Sequence, residues 1–149
     1  MKLTQLSLFL ENRPGRLRAA CQVLADHAIN IQTLSLADTQ QFGILRLIVR
    51  DWGRAKAVLE QAGYPVTATE VVAVEVADRP GGLAEVLAHV DEAGLSIEYM
   101  YAFTFGRGDR AALIFRFEDP DRAIGMLQSK GVNVLGEVEL FERAGTHPA

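Results

Sequence analysis

The sequence predicts an α+β fold built twice over, on three observations. The segment Leu8–Leu17 (LFLENRPGRL) returns as Val74–Leu83 (VEVADRPGGL). Before each Arg-Pro-Gly turn, apolar and polar residues alternate as in a half-buried strand. After each turn, apolar residues recur at helical spacing.

The first copy begins with a strand in which Leu6, Leu8 and Leu10 alternate with Gln5, Ser7 and Phe9; Val72, Val74 and Val76 repeat this. Pro14 and Pro80 are expected at the first helical position, with Asn12 or Asp78 close before as a cap. Leu17, Ala20, Cys21, Leu24, Ala25 and Ala28 then form one helix face, echoed by Leu83, Val86, Leu87, Val90 and Gly94. Second strands are expected from about Asn30 and Ser96. Third strands hold Leu45, Leu47 and Val49, or Leu113, Phe115 and Phe117. Second helices cover 52–62 and 121–130, stopped by Gly63 and Gly131, and last strands start near Val66 and Val134. The offset between copies is 66 residues at Leu8 and Val74 but 68 at Gly63 and Gly131. The second copy therefore carries an insertion, expected in the hairpin tip around Gly106–Arg110.

This βαββαβ order, twice, gives two ferredoxin-like units, each an antiparallel sheet with both helices on one face. The expected domains are 1–69 and 70–143, followed by a polar tail, 144–149. A unit of this size is marginal alone, and a bare sheet face with unpaired edges favours association. The copies are expected to pack together and the chain to form a homodimer.

Composition narrows the function. The chain has 149 residues, 49% hydrophobic and 23% charged, with 15 basic and 19 acidic residues. No basic stripe favours nucleic acid, and no apolar run approaches the ~18–20 residues of a membrane span. The N-terminus lacks the apolar core of a signal peptide, so a cytoplasmic location is expected. The single cysteine, Cys21, excludes an intrachain disulfide and a cysteine-cluster metal site; on the helix stripe it reads as a core thiol. His27, His89 and His147 fall at non-equivalent positions and read as solvated. No metal and no cofactor is expected.

The informative residues are Asn12-Arg13-Pro14-Gly15-Arg16-Leu17 and Asp78-Arg79-Pro80-Gly81-Gly82-Leu83. Each set links a strand to a helix start, where unsatisfied N–H groups and the helix dipole favour an anion. Gly15 and Gly81 permit close approach to the backbone, and Gly82 is expected to open the second loop further. Asn12 can both donate and accept. The alternative is a turn shaped by Pro and Gly and capped by Asn or Asp.

The repeated Asn/Asp-Arg-Pro-Gly-x-Leu motif, with the later Ile29-Asn30-Ile31, resembles the ACT domain family over about residues 2–142. ACT domains are regulatory modules that bind amino acids at interfaces between units. The resemblance implies a tandem ACT protein that binds a free amino acid. In the serine-binding ACT domain of phosphoglycerate dehydrogenase an Asn in the first loop and an Asn opening the second strand hold the ligand; Asn12 and Asn30 match them, beside Ile31. Leu10 departs from the histidine found there. The second copy offers Asp78, Ser96 and Ile97 instead, which makes the first copy the better candidate.

Tyr99, Tyr101, Phe103 and Phe105 alternate along one strand. They form either a packed sheet face or, with Tyr99 and Tyr101 as polar handles, the wall of a ligand pocket. Gly106-Arg107-Gly108-Asp109-Arg110-Ala111 fits a dinucleotide string, but a strand follows it instead of a helix. No paired motif residue is His, Cys or Lys, so no catalytic set is visible and an enzyme is not expected. Two other roles compete with amino-acid sensing. One is the regulatory small subunit of an amino-acid biosynthetic enzyme such as acetolactate synthase; the other is a dimerisation module without ligand.

Overall fold

The computed structural model describes residues 1–103 and 108–145. Phe105, Gly106, Arg107 and His147 lie outside the described residues. The chain divides into two compact units. The first runs from Thr4 to Thr69; the second runs from Glu70 onward and includes Met1–Leu3. Lys2 ties the N-terminus to the second unit through Glu70 at 2.6 Å and Asp121 at 3.1 Å.

The first unit contains β1 (Leu3–Glu11) from Thr4 on, α1 (Arg16–Asp26), β2 (Thr33–Thr39), β3 (Phe42–Ile48), α2 (Trp52–Gln61) and the opening residues of β4 (Val66–Ala77). Its strand order is β2-β3-β1-β4. Leu6 lies opposite Leu47, and Leu8 opposite Leu45. Together with Leu10 these side chains meet Ala20, Leu24, Ala55, Val58 and Leu59 from the two helices in one core. A two-residue period from the strands thus meets a 3.6-residue period from the helices.

The second unit contains the remainder of β4, α3 (Gly82–Glu92), β5 (Ile97–Ala102), β6 (Arg110–Phe117), α4 (Pro120–Ser129), β7 (Val134–Leu135) and α5 (Glu137–Gly145). Its order is β7-β4-β6-β5. The core joins Val72, Val74, Val76, Phe115 and Phe117 to Val86, Val90, Ala123 and Leu127. Each unit is therefore the βαββαβ arrangement expected, with both helices packed on one sheet face.

The repeat extends to hydrogen bonds. Asp51 and Asp119 cap α2 and α4 by accepting from the N–H groups of Arg54 and Arg122. The Arg54 guanidinium donates to the His27 carbonyl, and that of Arg122 to the Ala93 carbonyl, each at 2.6 Å. Each arginine thus ties the start of one helix to the carbonyl end of its neighbour, where the dipole is negative.

Several expectations are corrected. Neither Pro14 nor Pro80 is the first helical residue, and neither Asn12 nor Asp78 caps. The helices start at Arg16 and Gly82 behind Gly15 and Gly81, without a side-chain cap. The second strand of the first unit begins at Thr33, so Asn30 precedes it in the connector. Ala25 and Ala28 are exposed, and the α1 seam is set by Ala20 and Leu24 with Val23 beside them. Cys21 is only half-buried, and its burial pushes the thiol pKa up. Gly82 does not open its loop: it is buried, and a Cβ there would stand 1.9 Å from the Ala77 carbonyl oxygen.

The sheet face away from the helices is not bare in the second unit, because α5 uses it. Residues 144 and 145, expected in a polar tail, close that helix. Its Leu140 and Phe141 are buried, and its Arg143 pairs with Glu75 on the β4 face opposite Val74 and Val76. Burial works to raise the Glu75 carboxyl pKa, but the Arg143 guanidinium outweighs it and holds the carboxyl below its ordinary value.

Gly82→Ala should lower stability in urea denaturation by about 1–3 kcal/mol, because backbone must move. Gly125→Ala, in α4 with open space around it, should raise stability by about 0.5–1 kcal/mol. A depressed carboxyl stabilises the fold above its unfolded pKa and loses that contribution as pH falls through the folded value. The stability difference between wild type and Glu75→Gln should therefore stay constant near neutrality and shrink below about pH 4.3. A difference that grows on acidification would contradict the pairing.

Candidate functional site

Both strand-to-helix loops have the same backbone. Gly15 sits at φ 86°, ψ −13° and Gly81 at φ 88°, ψ −11°. Side chains with a Cβ rarely adopt this left-handed conformation. The turn it makes brings the chain into the helix without a side-chain cap; the first N–H, of Arg16 or Gly82, donates to the Arg13 or Arg79 carbonyl, and the next N–H groups, with no side chain on them, can meet an anion. A depression of ≈ 410 Å³ lies over Arg13-Pro14-Gly15-Arg16 in the first unit.

Asn12 is held by the β2–β3 hairpin. Its amide nitrogen donates to both Asp38 carboxylate oxygens at 3.3 Å and to the Gln40 carbonyl at 3.1 Å. Its backbone N–H donates to the Gln41 carbonyl at 2.9 Å. Arg13 pairs with Glu11, and Arg16 lies 3.8 Å from the same carboxylate. A cleft of ≈ 230 Å³ is walled by Leu10, Leu17, Leu36 and Gly43, with Glu11, Asn12, Arg13 and Asp38 as its polar lining. Leu17 is 37% exposed and Leu36 50% exposed, so this apolar wall faces outward. Asn30 and Ile31 are not among the residues lining it. The two asparagines are thus not brought together within the unit.

The second unit distributes its residues differently. Asp78, Arg79 and Gly82 border a cleft of ≈ 510 Å³ that reaches back to His89, Lys130 and Asn133. Arg79 pairs with Glu85 at 2.8 Å. Ser96 belongs to a separate cleft of ≈ 460 Å³ with Glu118, Asp119 and Arg122. Ile97 lies opposite Phe117, and Leu83 packs on the core. Tyr99 and Tyr101 are half-buried opposite Arg116 and Ile114. Ile114 in turn lies opposite Ala73, so the tyrosines share the sheet face used by α5 and border neither cleft.

Two partners escaped the sequence reading. Asp38 is 26 residues from Asn12 and meets it only through the hairpin. His89, expected to be solvated, is half-buried, and its Nδ1 is shielded without a hydrogen-bond partner among the described residues. Among the described residues no group of three or more His, Cys, Asp or Glu is placed to hold a metal ion, and no helix is long and apolar enough to cross a membrane.

If Asp38 fixes Asn12, Asp38→Ala should speed hydrogen exchange of the Asn12 side-chain amide and change stability by less than about 1.5 kcal/mol. Unchanged amide exchange, read by NMR, would show that Asp38 does not hold it.

The chain is similar to protein BT0572 from Bacteroides thetaiotaomicron, with 38% identity over 95% of this chain and 97% of that one, and a TM-score of 0.88. It shares its fold with the ligand-free regulatory subunit of aspartate kinase from Thermus thermophilus, at 18% identity over 85% and 91% of the two chains and a TM-score of 0.61. The corresponding subunit from Thermus flavus gives 17% identity over 85% and 90%, and a TM-score of 0.59. No match was found among curated proteins. The sequence profile of the ACT domain pair matches residues 1–144, and the chain belongs to that family.

Proposed function

We propose that this protein is a non-catalytic regulator that binds a free amino acid at its strand-to-helix loops and acts as a homodimer. One observation carries the reading. The two loops share a glycine-built backbone that leaves a helix start uncapped, and in the first unit this start adjoins a cleft with both polar and apolar walls. The ligand carboxylate meets the N–H groups at Leu17 and Arg18. The ammonium meets Asp38, which Asn12 holds in place. An aliphatic side chain lies along Leu10, Leu17 and Leu36. Asn30, Ser96, Ile97, Tyr99 and Tyr101 contribute, on this reading, only where another unit meets the loops.

The edge strand β2 supports the dimer. Leu34 is 45% exposed and lies opposite Leu47, on the helix side of the sheet. Exposed leucines on an unpaired edge invite a second copy. Ligand binding at such a seam regulates by differential affinity for two arrangements of the units. The same seam would also accept a separate enzyme subunit of amino-acid metabolism; co-purification of an enzyme would favour that role.

A thermal-shift panel of the twenty amino acids tests the reading. A ligand at ~100 times its Kd should add ~2.7 kcal/mol, a rise of several degrees. Aliphatic amino acids should lead, and Asn12→Ala should weaken their binding more than tenfold. A flat panel, or unchanged affinity in the variant, would overturn it.

A further inference from the structure

The two units build one frame but furnish one flank of it differently. Between the first helix and the turn after the second, the first unit carries Ala19, Val23, Ala62 and Pro65. At the matching positions the second unit carries Glu85, His89, Lys130 and Asn133. The fold does not require these four polar residues, because the first unit forms without them. They come from two segments about 40 residues apart in the chain, and all four line the same ≈ 510 Å³ cleft.

The cleft has the marks of an unfilled polar site. His89 lines the cleft with a half-buried ring, and its Nδ1 is turned away from solvent without a hydrogen-bond partner among the described residues, a cost that turning the ring into a ligand-filled cleft relieves. Glu85 is fixed by its 2.8 Å pair with Arg79. The Lys130 ammonium is only loosely engaged, 3.9 Å from Glu92. Asp78 and Asp109 add carboxylates to the lining. Three cations (Arg79, Arg110 and Lys130), carboxylates, an amide and an imidazole thus line one concavity, and a ligand carrying both charges engages them together.

We infer that this cleft is a second ligand site, distinct in chemistry from the first, which takes a zwitterionic amino acid with a hydrogen-bonding side chain. Lys130 meets the carboxylate and Asp78 the ammonium, while Asn133 and the His89 ring, once its Nδ1 turns into the cleft, bond the side chain. The inference rests on the amino-acid-binding reading above and deepens it: one chain holds two sites, one selecting aliphatic and the other polar side chains.

The test is calorimetric titration of the full chain carrying Asn12→Ala, which disables the first site. The probes are L-glutamine, L-glutamate and L-serine against L-leucine and L-phenylalanine. The expected result is one site per chain for at least one polar probe and none for the apolar pair. Adding His89→Val, the residue that the first unit uses at this position, should weaken that binding at least tenfold while the protein stays folded by circular dichroism. The binding probe should also shift the His89 ring-nitrogen resonances. If wild type binds an amino acid but the Asn12→Ala protein binds none, or if His89→Val binds equally well, the second site is overturned while the sensor reading stands. If wild type binds none of the twenty, both fall.

Discussion

Each unit must turn from a strand into a helix within four residues, and a left-handed glycine is what makes that turn. Gly15 and Gly81 adopt almost the same φ and ψ although they lie 66 residues apart. The consequence reaches the site directly. A helix that begins behind such a glycine has no Ser, Asp or Asn on its first N–H groups, whereas α2 and α4, which begin behind Asp51 and Asp119, are capped by side chains. The fold therefore caps two of its helix starts with side chains and leaves two without one. The uncapped pair belongs to the repeated motif.

Around that fixed turn the two units have diverged where divergence costs little. Cores and caps are kept: Leu6, Leu8 and Leu10 against Val72, Val74 and Val76, and Arg54 against Arg122. The loop surroundings are not. Asn12 is anchored across the hairpin to Asp38 beside leucines, whereas Asp78 borders a polar cleft. Gly82 shows the same divergence in the backbone. Its contact with the Ala77 carbonyl leaves no room for a Cβ, where the first unit carries exposed Arg16.

Much of this was legible in the sequence, because period and repetition are local signals. The strand alternation at Leu6–Leu10, the stripe through Ala20 and Leu24 and the duplicated motif each lie within a short window. The differences arose where distant residues decide. Asn12 reads as a cap until the hairpin brings Asp38 to it. Pro14 reads as a first helical residue, but the glycine after it moves the helix start to Arg16. Arg143 and Glu75 are 68 residues apart, so no local pattern announces that α5 lies on the sheet face the sequence leaves bare. His89 looks solvated on its helix; comparison with Val23 at the matching position was the signal available, since a polar residue replaces an apolar one on a half-buried flank.

The most direct measurement follows backbone amide resonances while labelled protein is titrated with the amino acid that most raises its melting temperature. An amino acid whose carboxylate sits on an uncapped helix start must move the Leu17 and Arg18 amides saturably, with the dissociation constant that calorimetry gives. Tight binding that leaves the amides of both loops unmoved would contradict it.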